Sequence, residues 1–396
     1  YLQFSPLKNL QIKTTLSPSI NTYRNGKYIS TLAEGNYDNP LTTAVENDAK
    51  ANIENGTYIN YTWDNQINYR FKINEDHNFD LMGLHSMYSD NTEIYNVNTA
   101  GYSYNYYWYN LGAATNTAST KLTSGYSMSR MMSYAARLNY SYKNKYLVTT
   151  TWRTDGSSRF NNKKWDYFPS VALAWRASEE SFMQPFSQVI SNLKFRVSLG
   201  YTGNNNINPY QTSPLANLKT YYNFGTTNAF GVGIGSLGNA NLTWEKTREF
   251  NAGLDLGLWN NRIDLTVDVY NRLSEGLLQA RTLPLESGAG TMTDNLGAVS
   301  NRGVELGLSA TPVQTKDFTW TINGTFAANQ NRIENLFGNK TPGYIYINSN
   351  TQKWMVGEDI TSIYGYVFDG VWTASDIKTA ITNKDPRVVN SAGKVI

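Results

Sequence analysis

Hydrophobic and polar residues alternate along much of this chain, and the alternation stops at regular intervals. In the stretch 262–270, Ile263, Leu265, Val267 and Val269 share one parity and Asp264, Thr266 and Asp268 the other. A period of two places successive side chains on opposite faces of a strand, so this stretch predicts a strand with one apolar face. The preceding stretch repeats it, with Phe250, Ala252, Leu254, Leu256 and Leu258 against Asn251, Gly253, Asp255 and Gly257. Only Trp259-Asn260-Asn261 separates the two, a tight hairpin with Asn where positive φ is tolerated. Leu193–Tyr201, Val304–Leu308, Phe318–Ile322 and Ile59–Tyr69 alternate in the same way. Further strands are expected near 10–23, 78–90, 128–142, 145–154, 165–177 and 360–372. The total is about a dozen, several longer than the usual five or six residues and long enough for a tilted crossing of a bilayer.

The connections sort by length. Short turns are expected at 73–78, 143–145, 259–261 and 312–317, and long polar loops at 24–57, 91–125, 203–241, 274–298 and 334–358. Short turns at one end of a sheet and long loops at the other are the pattern of an outer-membrane β-barrel. One connection differs: 178–190 reads as a helical turn with Ser178 as N-cap. Trp152, Trp165, Tyr167, Trp175, Tyr201, Trp244, Trp259, Tyr270 and Trp320 fall near strand ends, where amphipathic rings form interfacial girdles; packing across a soluble sheet is the other reading.

Composition narrows the function classes. The 396 residues include no Cys, which excludes disulfides and thiolate sites, and only two His, His77 and His85. A metal centre and a cofactor are therefore not expected. Charged residues make up 16% and the net charge is +3, so a nucleic-acid partner is disfavoured. No apolar run approaches a transmembrane helix, but membrane strands expose lipid-facing side chains only at every second position, and a mean hydropathy of −0.49 suits them. No basic or apolar leader opens the sequence at Tyr1, and a polar stretch closes it at Ile396. The expectation is a piece of a longer polypeptide.

Several phrases in order carry a resemblance. Residues 137–146 (RLNYSYKNKY) run into 151–160 (TWRTDGSSRF), then 167–176 (YFPSVALAWR), 178–182 (SEESF), 193–204 (LKFRVSLGYTGN), 244–247 (WEKT) and 301–305 (NRGVE). Together they resemble the SusC/RagA-type TonB-dependent outer-membrane transporters of Bacteroidetes, over about 130–330, with the flanks fitting by pattern. The resemblance implies an all-β fold: a transmembrane antiparallel β-barrel of about 22 strands around an N-terminal plug. Residues 1–396 would supply its middle-to-late strands, without plug or final strands. It implies nutrient import through a polar lumen beneath a SusD-like surface lipoprotein, energised by TonB-ExbB-ExbD, with outer-membrane lipid around the wall. The substrate would be a glycan oligosaccharide or an oligopeptide.

The candidate ligand element is the aromatic run Tyr102, Tyr104, Tyr106, Tyr107, Trp108 and Tyr109 in an expected external loop. It is either a stacking surface for substrate or lid, or a set of rings packed on neighbouring loops. The segment 155–160 could bind ligand or cap a hairpin. Arg137, Arg153, Arg176, Arg196, Asp255 and Glu305 are expected to face the lumen, chiefly in structural pairs. No catalytic residue is assigned: Glu179–Glu180 sit in a turn, the two His lack a triad pattern, Gly231, Gly233 and Gly235 lack a strand–turn–helix context, and 369–376 is too irregular for a calcium loop. Two other classes remain at this stage, a soluble all-β carbohydrate-binding or adhesive protein and a polysaccharide-degrading enzyme.

Overall fold

In a computed structural model, residues 1–30, 49–102, 109–225, 227–288, 290–347, 353–363, 371 and 373–382 are described. The chain begins with β1 (Leu2–Leu7), β2 (Leu10–Ile29), β3 (Lys50–Ile73), β4 (His77–Ala100), β5 (Asn116–Tyr142), β6 (Tyr146–Ser157), β7 (Trp165–Tyr167), β8 (Ser170–Arg176) and β9 (Ile190–Asn204). A hairpin of β10 (Leu215–Phe224) and β11 (Thr227–Ser236) precedes β12 (Glu245–Leu258) and β13 (Ile263–Glu275). A second hairpin, β14 (Leu278–Thr282) with β15 (Thr291–Asn295), precedes β16 (Ala298–Gln314) and β17 (Thr319–Asn335). A third, β18 (Ile345–Ile347) with β19 (Lys353–Met355), is followed by helix α1 (Ala374–Thr382). No described helix is long and apolar enough to cross a membrane.

The long strands form one antiparallel meander, β1-β2-β3-β4-β5-β6-β8-β9-β12-β13-β16-β17, with β7 paired to β6. Its register carries the function of the sheet. Trp175, Phe195, Leu254, Val267, Leu306 and Phe326 lie opposite one another across six consecutive strands. One residue along, Ala174, Arg196, Gly253, Asp268, Glu305 and Ala327 form the matching row on the other face. The first face stays exposed: Trp175, Phe195, Leu306 and Phe326 are all among the large solvent-accessible hydrophobics. A sheet that presents apolar rows outward and polar rows inward, with no second sheet packed on either among the described residues, is a membrane wall rather than half of a soluble sandwich.

The turns confirm the two ends. Asn74, Lys143, Asn144, Trp259, Asn260 and Asn261 adopt positive φ in the tight turns after β3, β5 and β12. Neighbouring short turns are stitched together by Lys143 N–H to Asp76 O (2.7 Å), Arg176 N–H to Lys145 O (2.8 Å) and Trp259 N–H to Val189 O (2.8 Å). All three added hairpins project from the opposite, extracellular end. The three buried clusters lie there too, built around Phe160 and Trp244, around Val299 and Ile333, and around Ala49 and Tyr102.

Aromatic rings mark both membrane interfaces on the apolar face. Near the short turns Phe71 stacks on Phe79 (4.7 Å between centroids), Trp175 stacks on Phe195 (5.8 Å), and Phe79 meets Tyr140 at a tilt (4.8 Å, 33°). At the other border Trp63 meets His85 (6.1 Å), His85 meets Tyr134 (5.1 Å), and Tyr134 stacks on Trp165 (6.0 Å). Trp63 and Phe71 are eight residues apart, about 26 Å along a strand, which matches the ~25 Å apolar band of such barrels.

Four expectations change. The loops expected at 24–57 and 91–125 shrink, because β2, β3, β4 and β5 run 20, 24, 24 and 27 residues and continue as strands far above the bilayer. Ser178 is not an N-cap: it lies inside a short 3₁₀ turn, Ala177–Glu179, that has no side-chain cap. A second 3₁₀ segment, Ser181–Phe186, follows. Residues 360–363 are turn and coil, not a strand, and the rest of 360–372 lies outside the described residues except Val371. Trp244 is 5% exposed against Phe160 and Phe168, and Tyr270 lies inward over Gly303; neither belongs to a girdle.

Candidate functional site: the lumen wall and the extracellular mouth

The inner face is built around one cationic group. On β9, Arg196 donates through Nε and Nη2 to Asp255 on β12 (2.8–3.1 Å) and through Nη1 and Nη2 to Asp268 on β13 (3.1 Å each). It must cross β12 to do so, and the residue it crosses is Gly253, which lies opposite Arg196 on one side and Asp268 on the other. A Cβ at 253 would sit 2.7 Å from the guanidinium carbon and 2.6 Å from Asp268 Oδ1. Lys194 Nζ adds a longer contact to Asp255 (3.7 Å). Three strands are thus cross-braced by a planar fork that suits two carboxylates at once.

The other charges that the sequence places in the lumen share this inner parity. Arg153 binds both oxygens of Asp155 (2.8 and 2.9 Å) and reaches Ser133 Oγ (3.3 Å). Arg137 donates to Thr151 Oγ1 (3.3 Å). Arg176 ends β8 opposite Lys194, and Glu305 lies opposite Asp268.

Higher on the same face stands a group that single-strand reading does not find. Tyr23 on β2 lies flat over Gly56 of β3, its hydroxyl donates to Glu54 Oε1 (2.8 Å), and its ring stacks beside Tyr58 (5.8 Å, 21°). Asn96 Nδ2 donates to Glu54 Oε2 (3.1 Å), and Asn52 and Asn98 both donate to Asn96 Oδ1 (2.9 and 2.7 Å). Apart from Asn96 and Asn98, neighbours on β4, these hydrogen-bonded partners lie 31 to 44 positions apart in the chain, so only strand pairing brings them together.

The mouth is capped by packed loops. In the segment 155–160, Asp155, Ser157 and Phe160 are buried. Ser157 Oγ accepts from Asn205 Nδ2 (3.0 Å), the Arg159 guanidinium reaches Asn205 O (3.4 Å), and Trp244 Nε1 donates to Lys164 O (2.9 Å). The segment therefore knots the end of β6 to the loops before and after β10 and β11. Tyr102 is 6% exposed, bonded to Thr99 Oγ1 (2.5 Å) and edge-on to Tyr28 (5.9 Å), while Tyr109 is 63% exposed. Tyr104, Tyr106, Tyr107 and Trp108 lie outside the described residues. No group of three or more metal-ligating side chains occurs among the described residues.

At the periplasmic end, Glu180 accepts from Tyr146 OH (2.6 Å), Lys145 Nζ (3.0 Å) and Trp175 Nε1 (3.3 Å). Those donors, the tyrosine foremost, hold its carboxyl down at about 2.

An antiparallel wall with an apolar outer band, two aromatic girdles, a charged inner face and loops packed over one end is the architecture of an outer-membrane β-barrel wall. The chain belongs to the TonB dependent receptor-like β-barrel family, which matches residues 3–390, and is a SusC/RagA-type member. It is 30% identical to the TonB-dependent receptor P26 of Formosa agariphila over 396 residues, 99% of this chain and 39% of that protein. It is 38% identical to the TonB-dependent receptor SusC of Bacteroides thetaiotaomicron over 261 residues, 60% of this chain and 25% of that one. The RagAB peptide transporter superposes over 90% of this chain and 38% of that chain, with TM-score 0.77 and 26% identity. The chain thus spans between a quarter and two-fifths of the length of these relatives.

Proposed function

We propose that the chain is the wall segment of a TonB-dependent importer that carries an oligosaccharide or oligopeptide across the outer membrane without chemical change. In this reading it belongs to a longer protein whose plug fills the lumen, a SusD-like lipoprotein closes the mouth, and TonB-ExbB-ExbD supplies the energy. The observation that carries it is the two-faced sheet: apolar rows outward and an ion-braced polar face inward, in a chain similar to SusC and to RagAB. The exposed apolar face argues against the soluble carbohydrate-binding and hydrolase readings, since contiguous apolar rows of this extent in water drive aggregation.

The wall's part in transport follows from its chemistry. Inward Asn, Thr and Tyr groups offer donors and acceptors to a hydrated solute, and the Arg196 brace keeps the strands from splaying when the plug is pulled. Tyr102, Tyr104, Tyr106, Tyr107, Trp108 and Tyr109 remain the proposed contact run for solute or lid at the mouth, with Tyr102 anchoring its base. The test is uptake in cells lacking the gene. Labelled oligosaccharide and oligopeptide pools are offered separately. One pool should fail to enter, and loss of TonB should give the same defect. Unchanged uptake of both pools in the deletion strain overturns the reading.

A further inference from the structure

The lipid-facing wall carries a basic patch that import does not use. On the outward parity of β12, β13, β16 and β17, the apolar residues Phe250, Val269, Val304 and Phe326 give way to Arg248, Asn271, Arg302 and, beyond Ala328, Gln330 and Arg332, with Leu273 and Ser300 standing in the row between Arg248 and Arg332. Arg302 lies opposite Asn271 on one side and Gln330 on the other, and Arg332 lies opposite Ser300. With strands about 4.8 Å apart and same-face residues about 6.7 Å apart, the Cα of Arg302 is roughly 8 Å from that of Arg332 and 12 Å from that of Arg248. Arginine side chains bridge such distances to one group.

All three arginines are exposed, and none is held in an ion pair among the described residues. Outward carboxylates on these strands are Glu275, opposite Lys246, and Glu334, which accepts from Ser300 Oγ (2.6 Å), and Glu358 stands in the segment that pairs with Ile333 beside Arg332. A concavity of about 540 Å³ joins the patch to the apolar band: Asn271, Arg302 and Gln330 rim it, and Val269, Val304 and Ala328 line it. Small residues at 304 and 328, between larger neighbours at 306 and 326, form the dent.

We infer that this patch is a binding site for a phosphorylated lipid of the outer leaflet, with phosphate on the Arg248–Arg302–Arg332 triangle and an acyl chain along the dent. The height fits, because the arginines begin one outward step above the last apolar residue of β12 and β16, where headgroups lie. The charge fits, because guanidinium forks bind phosphate oxygens in pairs and basic residues beside a bilayer attract anionic headgroups. The dent adds an apolar half that a free phosphate cannot use.

The test uses the full-length protein in neutral-detergent micelles, with diphosphoryl lipid A as probe, read by native mass spectrometry and by displacement of a fluorescent lipid. Its fully dephosphorylated form and inorganic phosphate are the comparison probes. The triple variant Arg248→Gln/Arg302→Gln/Arg332→Gln is compared with Lys316→Gln in a periplasmic turn, and heat-modifiable gel migration verifies that each is folded. The expected result is at least tenfold weaker binding of the phosphorylated lipid to the triple variant and no change for Lys316→Gln. The dephosphorylated lipid should bind at least tenfold more weakly than the phosphorylated form, and equally to all forms. Millimolar phosphate should not compete. Equal binding of diphosphoryl lipid A to native and triple-variant protein overturns the inference, as does full displacement by inorganic phosphate. The outcome is independent of whether the protein transports.

Discussion

Arg196 and Gly253 act as one unit. The guanidinium reaches Asp268 only because position 253 has no side chain, so replacing either residue should break the same brace. Arg196→Gln leaves two carboxylates facing each other in a partly wet lumen and should cost about 1–2 kcal/mol, the range of charge-assisted bonds after screening. Gly253→Val should cost a similar amount by displacement alone. Urea unfolding of the lipid-embedded protein measures both, and the double variant should lose clearly less than the sum, because coupled residues are non-additive. Strict additivity would show that the glycine serves some other purpose.

Glu180 gives a pH signature. Its carboxyl titrates at about 2 in the folded protein against an ordinary value of 4.5. A depressed native value means that its stabilisation is complete above about 4.5 and disappears as pH falls towards 2. The stability gap between native protein and Glu180→Gln should therefore be flat from pH 5 to 8 and close between about 4.5 and 2. A gap that widens on acidification would contradict the assigned partners.

At the scale of elements, the membrane-crossing part of each strand was legible and the rest was not. Alternation in 250–258 and 262–270 is strict because lipid on one side and water on the other select each residue separately. Above the bilayer both faces meet water or loops, so Asn, Thr and Tyr occupy either parity and the period fades. The upper halves of β3 and β4 therefore read as loop, although they are regular strand. Trp244 was misplaced for a related reason: an amphipathic ring at a strand end looks the same whether it meets a headgroup or a packed loop cluster. The Tyr23–Glu54–Asn96 network was hidden because it depends on register between strands.

Two predictions belong to this scale. Because the chain contains no Cys, single cysteines can report sidedness without background. Tyr222→Cys in the β10–β11 hairpin should react with an impermeant maleimide on intact cells, and Asn260→Cys should not; the reverse pattern would invert the wall. On the outer face, Leu254→Arg should destabilise by about 2–4 kcal/mol, the cost of a cation near the bilayer midplane. Thr266→Arg, on the inner face of the neighbouring strand, should stay within about 1 kcal/mol of native. Equal costs in a refolding titration would deny the two faces their different solvents.

For the whole molecule, the low charge and the abundance of aromatic side chains have one cause. Half of each crossing strand is dissolved in lipid, the other half lines a wet lumen, and among the described residues what is ordinarily a protein core sits in the loop clusters at the mouth. Stability then depends on strand pairing, girdle placement and lumen braces rather than on a buried centre. The central claim is therefore the sidedness of the sheet. A cysteine scan of positions 250–258 in liposomes tests it most directly, with a bimane label read for quenching by brominated lipid and by aqueous iodide. The account predicts strict alternation: lipid quenching at 250, 252, 254, 256 and 258, and iodide quenching at 251, 253, 255 and 257. Quenching by iodide at both parities, or no alternation across the nine positions, would contradict it.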